Sequence, residues 1–201
     1  PSRKFQRFVQ TVTTIPNFIS WVIVFSLAFA MFSTYGAVNT AFTTLGISDQ
    51  PVNVLSNPDI VWYFQCALGI WKGLGWSSIV YFAAITGIDT ELYDAATVDG
   101  ANRFQRIWHI TVPSVSETFI VLLLLSVCNF LSSGLDQYLV FYNPLVAEKI
   151  EVLDYFIYRI GLLQADYSFG TAIGILKSAI SIGMLFGVNA LAKKIRGTSI
   201  V

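Results

Sequence analysis

The residues with chemistry to offer are few and unevenly placed. The densest cluster is the stretch GIDTELYDAATVDGANRFQRIWHITVP, residues 87–113, with Asp89, Glu91, Asp94, Asp99, Arg103, Arg106 and the chain's one histidine, His109. A second feature is Lys72, the only charge between Asp59 and Asp89. Neither has the make-up of a catalytic centre: there is no Gly-rich phosphate cradle, and no Ser/His/Asp or paired-carboxylate constellation stands out. His109 fits packing within its own segment better than catalysis. Cys66 and Cys128 each lie in an apolar run, where a thiol behaves as a small hydrophobe, so neither a disulfide nor a metal site is expected. The chain is therefore not expected to be an enzyme or to carry a cofactor.

These groups must be positioned by elements that suit lipid. Hydrophobic residues make up 55% of the chain, aromatic residues 15% and charged residues only 12%, a composition foreign to soluble domains. With a formal net charge of zero and no long basic block, nucleic acid is excluded as a partner and the lipid bilayer takes its place. A helix needs about 20 apolar residues to cross the hydrocarbon core. Four stretches supply them, at approximately 16–33, 61–86, 115–131 and 169–192, and the reading is all-α because none shows strand-like alternation. Pro16 is expected near the start of the first span, where a missing N–H costs little. The chain opens Pro-Ser-Arg-Lys without a cleavable signal pattern and reads as a fragment.

Cation placement sets the orientation. Arg3, Lys4, Arg7, Arg103, Arg106, Lys193, Lys194 and Arg196 fall on one side, and only Lys149 and Arg159 on the other. That bias puts both ends and the loop of residues 86–114 in the cytoplasm. Small residues four or five apart, Gly170, Gly174, Ala179, Gly183 and Gly187, with Gly69 and Gly73, suit close helix packing. In the loop, acidic residues precede a helix-like pattern of Tyr93, Ala95, Ala96 and Val98, which Gly100 interrupts. Phe104, Ile107, Trp108 and Ile110 resume it up to Pro113. Helix, glycine turn and helix with an apolar face imply a partner.

Asp94-Ala95-Ala96, three residues, Gly100, nine residues and Ile110-Thr111-Val112-Pro113 resemble the EAA loop of ABC-importer permeases, with Asp94 for the usual Glu and Val112 for the usual Leu. FISWVIV, NPDIVWYFQCALGIWKGLGWSSIVYFAAI and Asn143-Pro144 resemble permeases of carbohydrate importers, especially those for complex oligosaccharides and polysaccharides. The resemblance implies a polytopic membrane protein with the MetI-like, type I importer fold. Residues 1–201 would be the C-terminal core of its transmembrane domain, since members usually carry two further spans upstream. It also implies a coupling loop at 89–113 that seats in a groove of an ATPase subunit. There Asp94 would meet the groove rim, Ala95 and Ala96 would allow close approach, Asp99 would belong to the same coupling surface, and Gly100 would make the turn where a side chain is intolerable. Phe104, Ile107 and Ile110 would dock, and Pro113 would tie the loop to the third span. The implied partners are a second homologous permease, two nucleotide-binding ATPase subunits that hold ATP and Mg, and an external solute-binding protein.

A lysine within a span is costly unless paired or wetted, so Lys72 is expected on the translocation path or against a carboxylate of the partner permease. Lys177 is expected to snorkel or to pair with Asp166 or Glu151. Sugars are recognised by aromatic faces and polar groups, which nominates Trp71 and Trp76 beside Lys72, with Asn129, Asp136, Gln137 and Tyr138 outside. Trp62, Tyr63 and Tyr81 suit the interfacial belt instead. The stretch 132–168 is expected partly to dip into the subunit interface and partly, at 152–163, to form an outer amphipathic helix. The binding protein would dock there and over 36–58. Two rivals remain: the same architecture with an amino acid, phosphate or metal cargo, and a passive channel or scaffold without an ATPase.

Overall fold

The computed structural model describes residues 2–47, 50–132 and 134–196. The side chains of Arg3, Leu191, Ala192, Lys194, Ile195 and Arg196 lie outside that description, as do Asp49 and Ser133 altogether. Among the described residues every regular element is a helix, and four helical stretches are long and apolar enough to cross a membrane: Trp21–Thr44, Val61–Thr86, Arg103–Cys128 and Tyr167–Ala190. Two compact units form, Pro1–Gly75 with Leu131–Ile175, and Trp76–Phe130 with Leu176–Val201.

In the first unit, α1 (Arg3–Phe18) is amphipathic and ends at two extended residues, Ile19 and Ser20. α2 (Trp21–Phe32) starts anew there, with the Ser20 hydroxyl accepting the Ile23 N–H at 3.4 Å, as N-cap serines do. Pro16 thus lies in the last turn of α1 rather than at the head of a span. The break follows from Ser20: a capping serine two residues past the end of α1 favours a fresh start over continuation. α3 (Ala37–Thr44) continues the apolar stretch after a short turn. α4 (Val61–Thr86) contributes its first part to this unit.

The segment 132–168 supplies much of the unit's core. α8 (Leu135–Val140), α9 (Ala147–Ile150) and α10 (Leu153–Tyr158) gather Tyr138, Val146, Ile150, Val152 and Tyr155 around Val61 of α4. A second cluster packs Val24, Ala28, Leu55 and Phe141, with the Phe25 and Phe141 rings edge to face at 5.1 Å. Buried Gln137 donates to the Gln65 backbone carbonyl at 3.0 Å and to Gln65 Oε1 at 2.8 Å. The expected 152–163 helix is α10 followed by a π turn, Arg159–Leu163. Glu151 pairs with Arg159 at 2.7 Å, a bridge that spacing alone did not suggest.

In the second unit, α5 (Thr90–Val98) is followed by α6 (Arg103–Arg106), a π turn (Ile107–Thr111) and α7 (Val112–Cys128). These last three run on as one helix. Pro113, expected to tie the loop to the third span, lies inside a helix that passes through it. The π turn, in which the Val112 N–H bonds Ile107 O, widens the turn just ahead of the proline, where the ring would otherwise press on a carbonyl. α11 (Tyr167–Arg196) starts in the first unit, where a Cβ on Gly170 would come within 2.9 Å of Gly161 Cα. Of the small-residue series, Gly174, Gly183 and Gly187 meet nothing within 4 Å of a would-be Cβ.

Candidate functional site

The loop 87–113 folds as a braced arm. Asp89 caps α5 by accepting the Glu91 N–H at 2.9 Å. The C-terminus closes with the pattern that left-handed glycine permits: Gly100 at φ +77, its N–H on Thr97 O at 3.1 Å and the Ala101 N–H on Ala96 O at 2.9 Å. Asn102 and Gln105 then bond each other's backbone N–H reciprocally, at 3.0 and 2.8 Å, and start the next helix. Two hydrogen bonds tie α5 back to that helix. The Tyr93 and Thr111 hydroxyls lie 2.9 Å apart, and Arg106 Nη1 donates to Thr97 Oγ1 at 2.9 Å.

Asp94, Ala95, Asp99, Gly100, Phe104, Ile107 and Pro113 are exposed on this arm, while Ala96 and Ile110 are half-buried. Phe104 is 83% exposed, and Val98 and Trp108 stand out beside it at 88% and 70%. Bare apolar side chains of this size need either a partner or lipid to cover them. A Cβ on Gly100 would meet nothing within 4 Å. Within this chain the demand for glycine is therefore one of backbone conformation. His109 Nδ1 bonds the Gln105 carbonyl of its own helix at 3.0 Å, a packing role. Tyr93, Thr97 and Thr111, the bracing residues, were not singled out in the sequence. Tyr93 falls on the α5 pattern, but the brace depends on a partner 18 residues away.

The first unit holds a cleft of about 590 Å³ lined by residues 17–22 of the α1–α2 break together with Lys72, Asp136, Leu139 and Val140. Two of the nominated solute residues, Lys72 and Asp136, thus share one cleft. Lys72 Nζ donates to Asn17 O at 2.7 Å and Pro16 O at 3.3 Å, and lies 5.4 Å from the centre of the Trp21 ring. Gln137 and Tyr138 are turned into the core instead, Tyr138 stacked on Trp62 at 6.2 Å. Trp71 and Trp76 are about half exposed on α4, and Asn129 is exposed with its amide on its own helix's Leu125 carbonyl. The external segments expected to dock a binding protein are fastened by buried Asn39, which bonds Ser33 O and both backbone groups of Val52. Asn143 adds a bond to Ser56 Oγ at 2.9 Å.

Residues 1–197 match the family described as "Binding-protein-dependent transport system inner membrane component". The chain is 38% identical over 193 residues to Protein LplB of Bacillus subtilis (strain 168), with 94% of this chain aligned. It is equally 38% identical over 191 residues to the polygalacturonan/rhamnogalacturonan transport system permease protein YteP of the same organism. In each case it spans 59% of the relative's length. A solved bacterial alginate ABC transporter, in complex with an alginate pentasaccharide-bound periplasmic protein, superposes with a TM-score of 0.92 at 34% identity, covering 100% of this chain and 69% of the matched one.

Proposed function

This chain belongs to the family of binding-protein-dependent transport system inner membrane components, and from that premise we propose that it is the permease core of an ATP-driven importer of oligosaccharides. The observation that carries the proposal is the braced arm. A surface rich in bare apolar side chains is built into a helix that continues without a break from Arg103 to Cys128, long enough to span a bilayer. Docked in an ATPase subunit, such an arm delivers the closing of that subunit to the span as a rigid displacement. ATP and Mg belong to the two ATPase partners, and this chain contributes mechanics and a solute route.

In this reading both ends and the arm face the cytoplasm, and a second permease completes the path, because four spans cannot enclose one. A binding protein delivers the solute from outside. The cleft at the α1–α2 break, just ahead of the span Trp21–Thr44, is a solute contact within this chain. An aromatic ring at Trp21, the Asn17 and Ser20 side chains and the Asp136 carboxylate suit a hydroxyl-rich ring. Relatives named for polygalacturonan/rhamnogalacturonan and for alginate support a saccharide cargo over an amino acid, phosphate or metal.

The test is reconstitution of the full-length permease with its partner permease, ATPase subunits and binding protein in liposomes. ATP-dependent accumulation of an oligosaccharide is the expected result. Accumulation that needs no ATP, or an arm that reacts with impermeant reagent from outside, overturns the proposal.

A further inference from the structure

We propose that Lys72 is a positioning residue: its ammonium group holds the break between α1 and α2 in place, and so fixes the wall of the cleft, without itself binding the solute. The inference rests on the reading of that cleft as the solute's contact.

A continuous helix would pair the carbonyls of Pro16 and Asn17 with the N–H groups of Ser20 and Trp21. The extended residues Ile19 and Ser20 interrupt that pairing; the Ile19 N–H takes up the Pro16 carbonyl at 3.2 Å, and Lys72 Nζ adds donors to the Pro16 and Asn17 carbonyls at 3.3 and 2.7 Å. The negative end of α1's dipole lies at these groups, which favours a cation there. The same ammonium lies 5.4 Å from the ring of Trp21, the first residue of α2. One cation therefore touches the last turn of one helix and the first residue of the next. Three residues along α4 on the same face, a Cβ on Gly75 would overlap the Thr13 carbonyl, so α1 and α4 meet backbone to backbone one turn from the lysine. Together these contacts place the break relative to α4. A lysine has three donors; two are spent on carbonyls. Asp136 lines the same cleft, so the cleft is not a cationic trap for an acidic solute.

The experiment uses the assembled transporter with a nitroxide pair at Gln10 and Ser26, one on each side of the break, and the variants Lys72→Met and Lys72→Arg. Lys72→Met should broaden the interspin distance distribution. It should also slow uptake of a neutral and a uronate-bearing oligosaccharide by the same factor, about tenfold, since a charge-assisted hydrogen-bond pair is lost. Lys72→Arg, which keeps charge and donors, should retain the wild-type distribution. A Lys72→Met protein with an unchanged distribution that loses uronate uptake selectively overturns the proposal and makes Lys72 a solute contact. Should Lys72→Met fail to assemble, Lys72→Arg still decides: discrimination between the two saccharides by more than about twofold, against a wild-type distance distribution, has the same meaning. A wild-type assembly that takes up neither saccharide refutes the saccharide reading alone, because the interspin comparison needs no solute.

Discussion

Gly100 offers a test in which conformation and space are separable. Its φ of +77 lies in the left-handed region, and the space a Cβ would fill is open within 4 Å. For an L-residue that conformation costs about 1–2 kcal/mol, and more for a β-branched one. Since 1–2 kcal/mol is a factor of roughly 5–30 in a two-state ratio, Gly100→Ala should lower the population of arms closed by the Thr97 and Ala96 hydrogen bonds by about that factor. Gly100→Val should do more, and Gly100→Asn, which tolerates left-handed backbone, least. The assay is solute-stimulated ATP hydrolysis by the assembled transporter, with ATPase-subunit retention on affinity purification as the second readout. The expected order of activity is glycine, asparagine, alanine, valine. If asparagine is as damaging as valine, crowding in the docked groove governs the position and the backbone argument fails. If valine is harmless, the turn is not needed in this form at all.

Other consequences can be measured directly. Tyr93→Phe and Thr111→Val should each lower the thermal stability of the assembled protein by the worth of one hydrogen bond, about 1 kcal/mol, and the double variant should add little. Full additivity in that cycle would dissolve the brace. Gly75→Ala should cut the yield of folded protein on size exclusion, because its Cβ meets the Thr13 backbone, whereas Gly73→Ala, with nothing within 4 Å, should not affect folding of the chain. Burial foremost, with Tyr142 and Glu151 beside it, pushes the Tyr155 hydroxyl above its ordinary value of 10.0. Its contribution to stability is then complete below pH about 10 and declines as pH rises through the higher folded value. Burial raises the Tyr138 hydroxyl too, so a spectroscopic titration should find late-ionising phenols, and Tyr155→Phe should reduce their number by one.

The long elements were legible because lipid imposes them: a charge-free run of sufficient length has few structures open to it. The arm was legible because Gly100 interrupts one apolar pattern and a second follows. What stayed hidden depends on pairs far apart in sequence. Nothing local in Gln137 or Tyr138 tells a solute-facing side chain from one that packs on Gln65 or Trp62, 72 residues away in the first case. The stretch 132–168 reads as too polar to face lipid, and its apolar members form most of a core with Val61, while Gln137 and Asn143 spend their polarity on backbone and side-chain partners in other segments. At Pro113 the helical pattern expected to run up to the proline continues past it, because one π turn widens the helix there.

That widened turn bears on how force passes through the arm. A loop joined to a span by a flexible linker would absorb a push of a few ångströms in the linker's own torsions. Here the helix from Arg103 to Cys128 has no such joint, and Tyr93 and Arg106 tie α5 to its first two turns. The π turn at residues 107–111 is where that helix departs from α geometry, and its Thr111 hydroxyl receives the brace from Tyr93. Weakening it should loosen coupling before it loosens docking: in Tyr93→Phe, the solute moved per ATP hydrolysed should fall while ATPase subunits remain bound. A fall in binding with an unchanged ratio would place the hydroxyl pair in the docking surface and not in the lever.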